Sequence, residues 1–177
     1  MSEHIAPSSF HIALTGHRPN RLAGYNLGDP FYLRLFNQLV QIIGDQLTQH
    51  EHLTLHSGMA LGADTLWSGA ALQLRETHPD RISFVAEIPF PQQSARWPQP
   101  SQHTWKTHVE AADVRRVYAP SYSNQALWAR NEGMIDAAQL LIAVWDDSPG
   151  GGTAGAVAYA QRKSVPILRI DPAQLRK

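Results

Sequence analysis

The length, composition and charge of this chain exclude several classes of protein. It has 177 residues and no cysteine, which allows one domain with a sizeable core and excludes a disulfide framework, a thiolate metal site and a cysteine nucleophile. Its 15 Lys and Arg residues balance its 15 Asp and Glu residues, so it lacks the overall positive charge of nonspecific nucleic-acid binders. No apolar run approaches the roughly 18 residues of a spanning helix. We therefore expect a cytoplasmic protein with one domain over residues 1–177 and with neither a membrane nor nucleic acid as its partner.

The first half of the chain alternates short apolar runs with amphipathic stretches. Residues 11–16 (HIALTG) and 53–57 (LTLHS) are predicted as buried strands, each followed by a turn that contains glycine. Apolar residues at three- and four-residue steps predict one helix over residues 31–48 and another that begins near Ala63. Residues 82–88 (ISFVAEI) are predicted as a third strand.

A long crossover separates the third strand from the rest of the chain. Four prolines between Pro89 and Pro100 predict irregular backbone, and a loop of this length in an α/β domain is typical of a lid or binding loop. After it we expect a short strand over residues 114–119, a helix over 122–139, a strand over 140–145, a helix over 152–162 and a strand over 165–170.

This alternation of strands and helices predicts the fold class. Parallel strands need crossover helices, so the pattern indicates a doubly wound α/β domain with a mostly parallel sheet and helices on both faces, which is a Rossmann-like fold. In such sheets ligands bind outside the carboxyl ends of the strands. Four loops that leave strands have unusual composition, and we expect them to form one shared pocket. They are residues 16–19, 57–64, 89–97 and 146–153.

The most distinctive of these loops contains three consecutive glycines, Gly150 to Gly152, followed by Thr153. Without Cβ atoms, backbone amides at a helix N-terminus can approach a phosphate, and the threonine adds a hydroxyl. The spacing matches neither the dinucleotide fingerprint nor a Walker loop. A phosphate cradle and a flexible turn with a helix cap both remain open as interpretations.

Several further residues are candidates for the pocket. We expect Arg18, Arg96 and Arg130 to neutralise ligand charge, and Asp146 to bind ribose or to order its loop. For Asp64, capping or bonding to turn amides is favoured over ribose binding. The predicted ligand-binding residues are Gly16, His17, Arg18, Ser57, Gly58, Met59, Asp64, Arg96, Arg130, Asp146, Gly150, Gly151, Gly152 and Thr153.

The histidines and tryptophans are interpreted mainly as structural. His52 and His56 would lie about 13 Å apart along a strand, too far to share a metal ion, so we expect no metal site. Trp67 and Trp128 fit the core faces of helices. For Trp97, core packing is favoured over a place in a pocket wall. The same interpretation applies to Trp105. Five of the histidines are expected at the surface: His50, His52, His78, His103 and His108.

Four motifs along the chain resemble the SLOG superfamily, the Rossmann-like group that links DNA-processing protein A with the LOG enzymes. They are TGHRP at residues 15–19, SGMALGADTLW at 57–67, IPFPQQSARWP at 88–98 and LIAVWDDSPGGGT at 141–153. The nearest branch is the YpsA-like one. The resemblance implies a LOG-like Rossmann fold, a homodimer, and binding of nucleotide-related ligands in signalling or defence against phage.

The same resemblance bears on catalysis. LOG phosphoribohydrolases have a PGGxGTxxE loop and an arginine-lysine pair on a preceding helix. Pro149, the glycines and Thr153 match this loop loosely, and Arg130 matches the arginine, but Asn131 stands in place of the lysine and no glutamate follows the loop. The leading hypothesis is therefore binding of NAD, ADP-ribose or a nucleoside phosphate, with no required cofactor. The alternatives are atypical N-glycosidic hydrolysis, with Arg130 and Asp146 as catalytic candidates, and single-stranded DNA binding.

Overall fold

The computed structural model describes residues 8–176, which form six strands and five α-helices in alternation. Short 3-10 turns lie at Pro19–Arg21 and Pro172–Arg176. The elements in chain order are β1 (Phe10–Gly16), α1 (Pro30–Gln49), β2 (Leu53–Ser57), α2 (Ala63–Thr77), β3 (Ile82–Ile88), α3 (Gln99–Ala111), β4 (Val114–Val117), α4 (Asn124–Ala137), β5 (Leu140–Val144), α5 (Gly151–Arg162) and β6 (Ile167–Ile170).

All six strands are parallel and lie in the order β4-β3-β2-β1-β5-β6. The chain first builds outward from β1 to β4, then crosses back through α4 and adds β5 on the free side of β1. The strand order therefore reverses between β1 and β5, where the crevice at the carboxyl ends is a preferred ligand position. This topology confirms the predicted doubly wound α/β fold, with a sheet that is parallel throughout.

Alternate side chains of the strands pack on opposite faces of the sheet. Ile12 and Leu14 of β1 belong to a large buried cluster with α1 and α2. Between them, Ala13 packs in a smaller cluster with Met134 of α4 and Ala156 of α5. Helices thus cover both faces of the sheet. The candidate site lies at the carboxyl ends of β1 and β5, at the switch point.

Helix α3 is absent from the predicted elements. The irregular backbone predicted from the four prolines extends only to residue 98, and α3 begins at Gln99 with Pro100 in its first turn. Proline is tolerated there because a first-turn N–H has no intrahelical acceptor. The crossover is therefore a loop over residues 89–98 followed by a helix.

The prediction that Trp128 lies on a core face is wrong. Its side chain is 43% exposed, and its ring packs against Gly155 of α5, where an added Cβ would lie 2.0 Å from the Trp128 ring. Trp67, in contrast, is fully buried as expected. The helix that contains Trp128 also begins later than predicted, at Asn124, so that Tyr122 lies in the preceding loop.

Candidate functional site

His17 and Asp146 join the two loops that meet at the switch point. The backbone N–H of His17 donates to the carbonyl of Val144 at 3.1 Å, and the buried His17 ring lies 2.7 Å from Asp146 Oδ1. Asp146 also accepts hydrogen bonds from the hydroxyl and the backbone N–H of Ser148. The bonds from Ser148 and then from His17 hold the pKa of Asp146 well below its usual value. Asp146 therefore stays ionised and orders its loop.

The β2–α2 turn is held by hydrogen bonds among its own residues. Ser57 Oγ donates to the backbone carbonyl of Asp64 at 3.2 Å and accepts from the backbone N–H of Met59 at 3.2 Å. Asp64 Oδ2 accepts from the backbone N–H of Ala60 at 3.2 Å, the turn-amide contact that the structural interpretation predicts. Burial raises the pKa of Asp64, and the charges of Arg130 and Arg18 oppose this shift.

Helix α4 places a buried guanidinium against this turn. Arg130 is 6% exposed, its Nη1 donates to the carbonyl oxygen of Gly58, and its Nε donates to Asn131 Oδ1 at 2.9 Å. An added Cβ at Gly58 would lie 2.0 Å from Arg130 Nη1, so the missing side chain at Gly58 makes room for the guanidinium. Burial lowers the pKa of Arg130, and the nearby charge of Asp64 opposes this. Among residues 8–176 the Nη2 atom has no hydrogen-bond partner and remains available to a ligand.

Two adjoining cavities open at this edge of the sheet, and Arg18 and Leu127 line both. The small cavity has a volume of about 190 Å³. Its walls are Leu14, Thr15, Gly16, Arg18, Ala60, Asp64, Leu127, Arg130, Asn131, Met134, Gly152 and Thr153. The large cavity has a volume of about 560 Å³. Its walls are Arg18, Phe90, Gln92, Gln93, Ala95, Arg96, Trp97, Tyr122 and Leu127.

The three consecutive glycines are not required by packing. An added Cβ at Gly150, Gly151 or Gly152 would meet no atom of residues 8–176 within 4 Å. Gly150 and Gly151 have φ values of +79° and +80°, a conformation that favours glycine. Gly152 has no such requirement, and it lines the small cavity together with Thr153 at the start of α5. The part of the predicted cradle that faces a cavity is therefore Gly152 and Thr153.

The structure separates the fourteen predicted residues into two groups. Gly16, Arg18, Asp64, Arg130, Gly152 and Thr153 line the small cavity, and Arg18 and Arg96 line the large one. The remaining residues support the surrounding turns without lining either cavity. They are His17, Ser57, Gly58, Met59, Asp146, Gly150 and Gly151.

Sequence reasoning missed several cavity residues on α4 and on the loop before it. Leu127 lies on a helix as predicted, but it was not expected to line the pocket. Tyr122 was also assigned to this helix, although it lies in the loop that follows β4, at the same end of the sheet as the other loops. An aromatic residue shortly after the end of a predicted strand was the sequence signal that could have placed Tyr122 in the pocket.

Among the described residues no helix is long and apolar enough to cross a membrane, and no three potential metal ligands cluster.

The chain is similar to known proteins along most of its length. The model of the YspA SLOG family (YpsA) matches residues 12–175. The uncharacterized SPbeta prophage-derived protein YoqJ of Bacillus subtilis (strain 168) is 26% identical over 146 residues, which cover 76% of this chain and 84% of that protein. The family match spans all six strands, except the first two residues of β1, and all four motifs that carry the resemblance. The chain therefore belongs to the YpsA family of SLOG proteins.

Proposed function

We propose that this protein binds a nucleotide-related small molecule, of the NAD, ADP-ribose or nucleoside phosphate type, with a phosphate group in the small cavity. The observation that carries the proposal is the buried Arg130, which lines this cavity together with Gly152 and Thr153. A buried cation is costly unless a counter-charge compensates it. The charge of the buried Asp64 compensates Arg130 in part, but no carboxylate lies within 4 Å of Arg130 among residues 8–176. An anionic ligand would complete the compensation.

Three further features support phosphate in particular. The positive end of the α5 dipole lies at Gly152 and Thr153, where it would stabilise a bound anion. Arg18 lines the same cavity and adds a second cation. The cavity also lies beside the β1–β5 switch point, where α/β sheets bind nucleotides. Membership of the SLOG family agrees with a nucleotide-related ligand.

Thermal unfolding with a nucleotide panel tests the proposal. NAD, ADP-ribose and nucleoside monophosphates are titrated, and we expect at least one to raise the Tm saturably. At 100 times the Kd, ligand linkage contributes about 2.7 kcal/mol, and for a chain of this length each kcal/mol raises the Tm by about 2–4 °C. If no member of the panel raises the Tm saturably, nucleotide binding is refuted.

A matched pair of threonine variants localises the binding. Thr153→Val removes the hydroxyl at the cavity while preserving the side-chain shape, and we expect a roughly 5- to 13-fold higher Kd, as for the loss of one hydrogen bond of about 1–1.5 kcal/mol. Thr107→Val is the control, since Thr107 is exposed on α3 and lines neither cavity. Equal affinities of the two variants would place the phosphate elsewhere.

The homodimer and the cytoplasmic location stay predictions.

A further inference from the structure

We propose that the large cavity binds the base of the same nucleotide, so that the ligand spans both cavities with its phosphate at Arg130. This inference rests on the proposed function and adds the part of the ligand that the large cavity recognises. Its volume of about 560 Å³ lies within the roughly 300–1,000 Å³ of small-molecule sites. The small cavity, at about 190 Å³, is below that range and suits a single anionic group.

The walls of the large cavity are suited to a flat heteroaromatic ring. Phe90, Trp97 and Tyr122 supply three aromatic side chains. The rings of Phe90 and Tyr122 meet edge to face, with centroids 5.5 Å apart and planes at 86°, and Tyr122 is 65% exposed. Aromatic faces stack on nucleobases, and an arginine such as Arg96 adds a planar cation that can do the same.

The polar groups of this cavity differ in their availability to a ligand. The amide of Gln93 is occupied, because its Nε2 donates to Gly58 O at 3.0 Å and its Oε1 accepts from Trp105 Nε1 at 3.1 Å. The neighbouring Gln92 is exposed and makes no side-chain hydrogen bond within the described part of the chain. Its amide offers a donor and an acceptor to a base edge. Gln93 thus holds the loop in place, while Gln92 reads the base.

The two cavities are positioned by a common group, the carbonyl oxygen of Gly58. It accepts hydrogen bonds from Gln93 in the wall of the large cavity and from Arg130 in the wall of the small one. Arg18 and Leu127 line both cavities. A base and a phosphate joined by ribose fit this arrangement, whereas a lone phosphate or sugar phosphate would leave the aromatic walls without a partner.

Calorimetric titration of the whole chain with graded probes tests the inference. The probes are inorganic phosphate, ribose 5-phosphate, the four common nucleoside monophosphates, ADP-ribose and NAD. Base stacking predicts that the tightest base-containing probe binds about 5- to 150-fold more tightly than ribose 5-phosphate. If ribose 5-phosphate binds as tightly as the best nucleotide, the inference fails while the proposed function stands. If no probe binds, the proposed function fails as well.

Two tyrosine variants separate a base site from a general effect on the fold. For Tyr122→Ala we expect a loss of about 5-fold or more in affinity for the tightest nucleotide, with unchanged affinity for ribose 5-phosphate. Tyr25→Ala is the control, because Tyr25 is 67% exposed and lines neither cavity. Equal losses for nucleotide and ribose 5-phosphate in Tyr122→Ala, or equal losses in both variants, would overturn the inference.

Discussion

At the scale of single residues, Gly58 and Gly152 lack side chains for different reasons. The Cβ position of Gly58 is occupied by Arg130, with Nη1 at 2.0 Å and Cζ at 2.6 Å, and Asp64 Oδ2 lies 2.9 Å away. Within the described part of the chain, the Cβ position of Gly152 meets no atom within 4 Å, and its backbone does not require glycine. Gly58 is thus needed by the protein's own packing, whereas the space at Gly152 is free for a ligand.

Alanine substitution at these two positions has opposite expected effects on the free energy of unfolding. Gly58→Ala displaces the buried guanidinium from its acceptor, at a cost of about 1–3 kcal/mol. Gly152→Ala adds a Cβ in open space in the first turn of α5 and changes stability by less than about 1 kcal/mol, in the favourable direction. Urea unfolding measures both, and a stable Gly58→Ala protein or a strongly destabilised Gly152→Ala protein would contradict this account.

At the scale of elements, the His17–Asp146 contact joins the loop after β1 to the loop after β5. Arg21 adds a second cation, with its Nη2 3.5 Å from Asp146 Oδ2. The next residue, Asp147, has φ of 60° and pairs with Arg169 at 2.6 Å on the β6 side. Asp146 therefore restrains the loop towards β1, and Asp147 restrains it towards the sheet edge.

Hydrogen exchange of residues 146–150 tests the ordering role of Asp146. Asp146→Asn weakens the contact with His17 and removes the charge that attracts Arg21. We expect amide exchange in this loop to accelerate a few-fold, in line with a loss of up to about 1 kcal/mol for a partly exposed pair. Asp45→Asn is the control, since Asp45 is exposed on α1 and forms no ion pair among the described residues. Unchanged exchange in Asp146→Asn, or an equal increase in the control, would show that Asp146 does not order the loop.

Most strands and helices could be predicted because their boundaries are local. The bounds of β2 and β3 match the apolar runs between glycine and proline signals. Helix α3 was missed because none of its residues is fully buried, only Trp105 and Val109 pack against the core, and its prolines favoured a loop. The loops of the site were predicted from glycine content, but the contact between Arg130 and Gly58 was not. It joins residues 72 positions apart and depends on how α4 crosses the sheet.

At the scale of the whole molecule, a chain of polar side chains crosses four strands on the α4 face of the sheet, with a buried centre at His56 and Glu87 and half-buried ends at His11 and Arg116. His11 Nδ1 lies 3.0 Å from His56 Nε2, and His56 Nδ1 lies 2.7 Å from Glu87 Oε1. Glu87 also accepts from Arg116 at 3.2 Å and from Tyr118 at 2.9 Å. Burial would raise the pKa of Glu87, but the hydrogen bonds from His56 and Tyr118 and the charge of Arg116 lower it overall.

His11, at the end of this chain, makes stability depend on pH. Burial, together with His56, Arg116 and His52, lowers the pKa of His11 from 6.5 to about 4. Between these values the unfolded chain binds a proton that the native protein does not, so the free energy of unfolding falls as the pH drops. The stability is fully present above pH 6.5 and decreases towards pH 4.

The Tm of His11→Gln between pH 7 and pH 5 measures this contribution. We expect the Tm of the wild type to fall more steeply than that of the variant, by about 2–4 °C over this range, which corresponds to about 1 kcal/mol once solvent screening is allowed for. His103→Gln, on the exposed face of α3, should follow the wild type. The raised pKa of the buried Asp64 carboxyl makes the free energy of unfolding increase as the pH drops, opposite to the effect of His11. Asp64 is present in all three proteins, so its contribution cancels in the comparison. Parallel Tm profiles for wild type and His11→Gln would rule out His11 as the source of the pH dependence.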